Sequence, residues 1–337
     1  MLHPNVRGTH YEMGYGYGTI AQKKGFKVPE QTKEKMEFGR HSEDEVKKIF
    51  PEILDEIRGF ANACNASYEG LAAFILSIGA FTQEPIGCSA FAATDGSDIV
   101  FGRNFDFYYR FRKYTEAYLT CPSDGYWSLG HSDVFVGRED GVNEKGLAIA
   151  LTAVEEVMIK PGMNFTLCVR YVLDKCAKVG QGVKALSEIS HSTASSYLLA
   201  DSEGNLAVVE AAPGRVRTRR PENGDGFIVC TNHFLHPEMS EMENEKERCW
   251  DSTVRYNAID DALKERGGEI DVSGAQAILS SHDGYVCFHD RKVALGTLWS
   301  VVATLKELRV FRAEGHPCRT EYSQDLRLNK AIESRQS

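Results

Sequence analysis

The sequence has no apolar run long enough to cross a bilayer. Its longest, residues 70–81, falls well short of the roughly 20 residues that a spanning helix needs. Basic residues are the minority: 39 Lys and Arg stand against 48 Asp and Glu, a formal net charge of −9. There is no basic patch and no interleaving of aromatic with basic residues, which argues against a nucleic-acid partner. Nine cysteines are present, yet no two stand in a C-x-x-C spacing, so neither a zinc ribbon nor a thioredoxin-like pair is written here. The first residues, Met1-Leu2-His3-Pro4-Asn5, lack the positive-then-apolar pattern of a signal peptide. These absences predict free thiols, a cytoplasmic location and no membrane partner. No glycine-rich phosphate loop and no lysine-arginine cluster at a helix start is visible, so no cofactor is expected. His233, His236, His282 and His289 fit neither an H-E-x-x-H nor a Cys/His knuckle spacing, and no metal is expected either.

What is present is ordinary for a globular protein: 337 residues, 42% hydrophobic and 26% charged. Residues 9–18 are rich in glycine and aromatics, which suits a close backbone approach or a tight strand-to-helix turn. Ser42-Glu43-Asp44-Glu45 reads as a capping box, followed by helical apolar spacing from Val46 to Phe60 that Pro51 would end or kink. A second apolar helix is predicted over 68–81, broken by Pro85-Ile86-Gly87. Strands are predicted at 116–120, 126–129, 134–137 and 147–153, and helices at 164–178 and 183–189. A hairpin at 197–211 and a strand at 227–231 follow, then helices at 251–263 and 275–281 and two closing strands at 297–303 and 308–313. Short turns join most strands, which predicts mainly antiparallel sheets layered with helices. Trp127, Trp250 and Trp299 are expected in the core or a pocket wall.

The densest chemistry lies at residues 87–106. Residues 89–94 and 98–101 are strand-prone, and Asp95-Gly96 between them is a strong two-residue turn signal. With that loop, Thr94 faces Ser97 and Cys88 sits opposite Arg103, with Asp106 just past the strand. A cysteine beside a fixed cation, with a carboxylate at hand, is the setting that lowers a thiol pKa and orients a nucleophile. Asp140-Gly141-Val142-Asn143 reads as a turn ahead of a strand.

Taken in order, Gly87-Cys88, the Arg-x-x-Asp at Arg103 to Asp106, the segment Asp140 to Leu147, and Thr231-Asn232-His233-Phe234 resemble the N-terminal-nucleophile amide hydrolases. The branch that the chain resembles is the isopenicillin N acyltransferase-like family, related to choloylglycine hydrolases and penicillin V acylase. The glycine-rich segment 8–18 and Gly315-His316-Pro317-Cys318 resemble the same branch. The resemblance implies an α+β fold, a four-layer αββα sandwich of two mainly antiparallel sheets in a single domain over 1–337. It also implies a cut between Gly87 and Cys88, leaving residues 1–87 as a small chain and 88–337 as a large one.

The implied mechanism is compact. A free N-terminal cysteine carries its own base, an α-amine of reference pKa roughly 7.7–8.0. The thiolate attacks an amide carbonyl to form a thioester, which passes to water or to an amine. By resemblance Asn232 donates a side-chain N–H to the oxyanion, and the backbone N–H near Thr152 donates another; Thr152 stands where related hydrolases carry Asn or Tyr. Asp106 holds the amine and thiol, Arg103 lowers the thiol pKa, Arg255 matches the family's second arginine, and Ser300 is placed by approximate position. Before cleavage the thiol must attack the Gly87 carbonyl, and Gly87 is expected to tolerate a strained backbone there. The expected partner is a small amide or acyl-amino substrate, with the oligomeric state left open, a homo-oligomer included. Two other readings are a non-cleaving ligand-binding member of the fold and a cysteine peptidase using Cys88 with a histidine base.

Overall fold

The computed structural model describes residues 1–81, 87–155, 157–222, 225–244 and 251–336. The chain opens with β1 (Asn5–Gly8) and four helices, α1 (His10–Lys23), α2 (Lys33–Ile49), α3 (Pro51–Ala63) and α4 (Tyr68–Leu76). The hairpin β2 (Gly87–Thr94) and β3 (Ile99–Tyr108) follows, then β4 (Glu116–Pro122), β5 (Ser128–Ser132), β6 (Asp140–Asn143) and β7 (Leu147–Ala153). Next come α5 (Phe165–Lys175) and α6 (Val179–Glu188), with β8 (Ser195–Asp201), β9 (Leu206–Ala212), β10 (Arg215–Arg219) and β11 (Phe227–Cys230) behind them. The rest is α7 (Ser252–Lys264), α8 (Val272–Ser280), β12 (His289–Asp290), β13 (Leu295–Thr304), β14 (Arg309–Ala313), β15 (Ser323–Gln324) and α9 (Arg327–Gln336).

The strands form two sheets. The first runs β1-β4-β5-β6-β7-β8-β9-β10, and the second runs β11-β2-β3-β13-β14-β15 with β12 on β13. Every pairing within them is antiparallel except β1 on β4. Alternation along the strands sorts apolar side chains into three layers. Ile149, Leu151 and Leu199 pack under α1, α3, α5 and α6; Ala90, Phe105, Ala148 and Leu198 fill the space between the sheets; Phe91, Val100 and Val302 pack under α7 and α8. The result is an α+β sandwich, helices outside and two sheets within.

Several local expectations are corrected. Ser42 does not cap a helix; it lies inside α2, buried, where its Oγ accepts a bond from the Gly162 N–H. The cap is Thr32, and Pro51 starts α3 as its first residue, where the missing N–H costs nothing. Residues 134–137 form no strand but a bend, with Val136 at a φ of 69°. In α1 Gly14 serves close packing: a Cβ there would come within 1.9 Å of the Glu56 carbonyl oxygen of α3. Trp299 is fully buried and Trp127 half-buried, while Trp250, Pro85 and Ile86 lie outside the described residues.

Candidate active site

The β2–β3 hairpin builds the site, in a register the sequence did not predict. Cys88 pairs with Phe105 and Gly87 with Asp106, while Thr94 pairs with Ile99. The loop is four residues, not two. The Asp95 carboxylate accepts the N–H groups of Ser97 and Asp98 at 2.7 and 2.5 Å, so Asx-turn chemistry wins over the two-residue turn. The slip is an even number of residues, and side chains therefore keep their faces. Arg103 remains on the Cys88 face, one pair along.

On that inner face, between the sheets, Arg103 Nη2 donates to Cys88 Sγ at 3.3 Å and Nη1 donates to Asp140 Oδ2 at 2.6 Å. Asp140 also takes His131 Nδ1 at 2.6 Å and Trp299 Nε1 at 3.1 Å. The guanidinium lies over the stacked rings of Phe105 and Trp299, 4.9 and 5.3 Å from their centroids. Glu139 Oε2 is 3.6 Å from Nη2. All of these groups are buried. Burial opposes ionisation of Asp140, yet His131 and Arg103 outweigh it and hold the carboxyl at about 2. Cys88 goes the other way: burial outweighs Arg103 and pushes the thiol up to about 12. The expected low thiol pKa is thus not found in this structure.

On the outer face, under α7, lie the groups that hold the backbone. Arg255 Nη1 donates to the Cys88 carbonyl and, at 3.0 Å, to Ser89 Oγ; its Nη2 donates to Asn232 Oδ1 at 2.8 Å. The Cys88 N–H donates to the same oxygen at 2.7 Å. Two donors converge on this oxygen, which fixes the orientation of the amide. Its Nδ2 then donates to the Ala153 carbonyl at 2.8 Å, so the predicted oxyanion donor is directed at a backbone acceptor. Asp106 accepts from Thr297 Oγ1 at 2.5 Å, and burial raises its carboxyl to about 6 against the pull of Arg255. Strand alternation puts Asp106 on the face opposite the sulfur, beside Gly87. Gly87 itself is extended strand; what its missing Cβ provides is room, since that atom would sit 3.0 Å from Asp106 Cβ.

Two predicted residues do not join the cluster through their side chains. Thr152 Oγ1 donates to the Thr231 carbonyl at 2.7 Å, which ties β7 to the end of β11. Ser300 pairs with Asn104 on the outer face and bonds Tyr322 at 2.5 Å and the Arg103 carbonyl at 3.3 Å. Conversely, the sequence reading missed Asp140, Glu139, His131 and Trp299. Asp140 was taken for a turn residue; it is in β6, and its neighbours come from three other strands, so no local spacing could report it. Among the described residues the sulfur's bonded partner is Arg103, not a histidine.

A cavity of about 830 Å³ opens beside this cluster. Glu139 and Ala153, both one contact from the cluster, form its inner wall. Phe26, Phe74, Phe107, Phe111, Phe135 and Phe165 line it, and the exposed Lys24, Lys27 and Lys113 stand at its mouth. Burial and the neighbouring Asp133 carboxyl push Glu139 up to about 8, and burial lifts Asp133 to about 6.

The chain is a two-sheet α+β sandwich of the N-terminal-nucleophile class of amide hydrolases and acyltransferases, and Cys88 lies buried in β2, one strand in from the edge of the second sheet. The model of the acyl-coenzyme A:6-aminopenicillanic acid acyl-transferase family matches residues 92–318, more than half of the chain, and the protein belongs to that family. Solved structures similar in fold include penicillin V acylase from Agrobacterium tumefaciens, at 18% identity and a TM-score of 0.45 over 67% of this chain and 83% of that one. Two variants of the conjugated bile acid hydrolase from Clostridium perfringens match at 15% and 14% identity, with TM-scores of 0.47 and 0.48, each over 71% of this chain and 96% of that one. No curated protein matches the sequence. No helix among the described residues is long and apolar enough to cross a membrane.

Proposed function

We propose that the chain is a self-processing amide hydrolase or acyltransferase with Cys88 as nucleophile. The observation that carries this reading is the double grip on one residue. The sulfur of Cys88 is held by Arg103 at 3.3 Å, and its backbone nitrogen by Asn232 at 2.7 Å. In the uncut chain that nitrogen is an amide and has no basicity, and the thiol is neutral. The first event is therefore attack of Sγ on the Gly87 carbonyl carbon. The C–N bond to Cys88 breaks, the thiol proton passes to the leaving nitrogen, and water then cleaves the thioester to a Gly87 carboxylate and a free Cys88 thiol. The new α-amine occupies the position of the old N–H, against Asn232, and serves as base for later turnovers. Each turnover forms a thioester on Sγ that water or an amine resolves.

The segment 1–87 would remain attached after the cut, because Val6, Met13, Tyr17, Ile53, Ile57 and Phe60 are buried in the core that covers the first sheet. The same segment gives the cavity Tyr17, Phe26 and Phe74, so one domain of two chains is the working form. The aromatic lining suits an amide with a bulky apolar acyl group, and the lysines at the mouth suit a carboxylate on the amine side. Intact mass and N-terminal sequencing of purified protein test the reading. Two fragments, one beginning at Cys88, together with release of amine from N-acyl amino acids, are expected. A single 37.5 kDa chain that cleaves or transfers no acyl group would overturn it.

A further inference from the structure

Away from the cysteine cluster, three segments distant in sequence converge on the outer edge of the second sheet. His282 follows α8, His289 opens β12, and Cys318 follows β14. Their ligating atoms all lie within 4.8 Å of one another. We propose that His282, His289 and Cys318 form a binding site for a divalent transition-metal ion of the zinc type, independent of the amide chemistry.

Three observations support it. First, His289 Nε2 is inaccessible to solvent and has no hydrogen-bond partner, and His316 Nδ1 beside it is the same. Buried ring nitrogens are normally satisfied, and a lone pair with no proton to accept is what a metal takes. Second, the rings crowd together: those of His282 and His289 meet edge-on at 5.0 Å, and that of His316 lies 5.0 Å from His289. Third, the donors are two imidazoles and a thiol, which select zinc, cobalt or copper over magnesium or calcium. Cys287 neighbours Cys318 but falls outside this group of donors, so the fourth position is left for water. In a tetrahedral site with bonds of about 2.0–2.3 Å the donors are roughly 3.3–3.8 Å apart, so the present cluster needs to contract by about 1 Å. His282 is exposed, which leaves an entry path. Arg291 and Arg319 lie near the His289 ring, so the sulfur must bind as thiolate to balance the charge of the ion.

The site would clip the 282–289 segment to the end of β14. That segment reaches the catalytic strands through two bonds: the Phe288 N–H donates to Thr297 Oγ1 at 3.2 Å, and Thr297 donates to Asp106. The metal is thus a staple behind Asp106.

The test uses full-length protein, dialysed against chelator and then against a slight excess of zinc, with metal measured per chain. One equivalent is expected. Cys318→Ser and His289→Gln should each weaken binding by more than about 100-fold, whereas Cys121→Ser, a buried cysteine elsewhere, should not. Cobalt is the second probe, read on the wild-type chain so that a variant's failure to fold decides nothing. A thiolate-to-cobalt charge-transfer band that disappears when zinc is added supports the site. Substoichiometric zinc with no such band, or a Cys287–Cys318 disulfide found by mapping, would overturn it. These readouts do not depend on whether Cys88 is catalytic.

Discussion

The two faces of the β2–β3 hairpin treat the same residue differently. The inner face holds the side chain of Cys88, with Arg103, Asp140, His131 and Trp299 around it. The outer face holds its backbone, with Arg255 on the carbonyl and Asn232 on the nitrogen. Asp106 belongs to the second set, next to the Gly87–Cys88 bond and away from the sulfur. An inner face built as a buried ion pair between aromatic rings is a rigid seat for the thiol. An outer face built from hydrogen bonds to main-chain atoms fixes the backbone of Cys88. On the mechanism proposed above, the difference would separate two jobs: the inner face positions the attacking sulfur, and the outer face holds the nitrogen and the carbonyl of Cys88.

Substitutions on each face should therefore fail in different ways. The largest effect is expected for Cys88→Ala, which removes the sulfur that the inner face holds and that the proposed mechanism uses as nucleophile. Processing should stop and amide turnover should fall by about 10³-fold or more, read by intact mass and amine release. Arg103→Met comes next and should act mainly on stability. It strands the ionised Asp140 without its cation in a dry interior, a loss of about 3–5 kcal/mol, measured by urea unfolding. Asn232→Leu tests the other face. Two donors lose their acceptor, at about 1–3 kcal/mol, but processing should slow by about 10²-fold or more, so that rate suffers more than stability. An Asn232 variant that unfolds yet still cleaves would break the comparison.

A smaller effect concerns pH. Asp106, Asp133 and Glu139 hold their protons to about 6, about 6 and about 8 when folded. The folded chain then binds more protons than the unfolded one between about pH 4 and 8, and stability falls as pH rises through that window. Asp140 opposes this only in acid, where stability is lost as pH falls towards about 2. Glu139→Gln should flatten the decline between about pH 6 and 8 in a series of melting temperatures. The smallest effect is expected for Thr152→Val. Its hydroxyl serves the Thr231 carbonyl, and activity should change by less than about threefold; a loss like that of Asn232→Leu would place Thr152 in the site after all.

Much of the architecture was legible, because it rests on local periodicity. The 147–153 strand, the Asn164-capped helix and the 197–211 hairpin appear close to where apolar spacing and turn residues put them. The N-terminal helices were less so. Ser42-Glu43-Asp44-Glu45 has the letters of a cap, yet the helix that already runs from Lys33 makes it helix interior. Within the site, Cys88, Arg103 and Asp106 stood out because they share one hairpin. Asp140 did not, since its value depends on which strand faces Arg103 across the sandwich.

The order of residues alone settled which side chains share a face of β2 and β3, because alternation has a period of two and survives an even slip in register. It also put the thiol at the strand's first positions beside a glycine. Whether that thiol is acidic, and whether Asn232 offers its oxygen or its nitrogen, was decided only by the folded sandwich. Desolvation and convergent donors are sums over neighbours drawn from β6, β7, β11 and α7, and no stretch of sequence contains that sum.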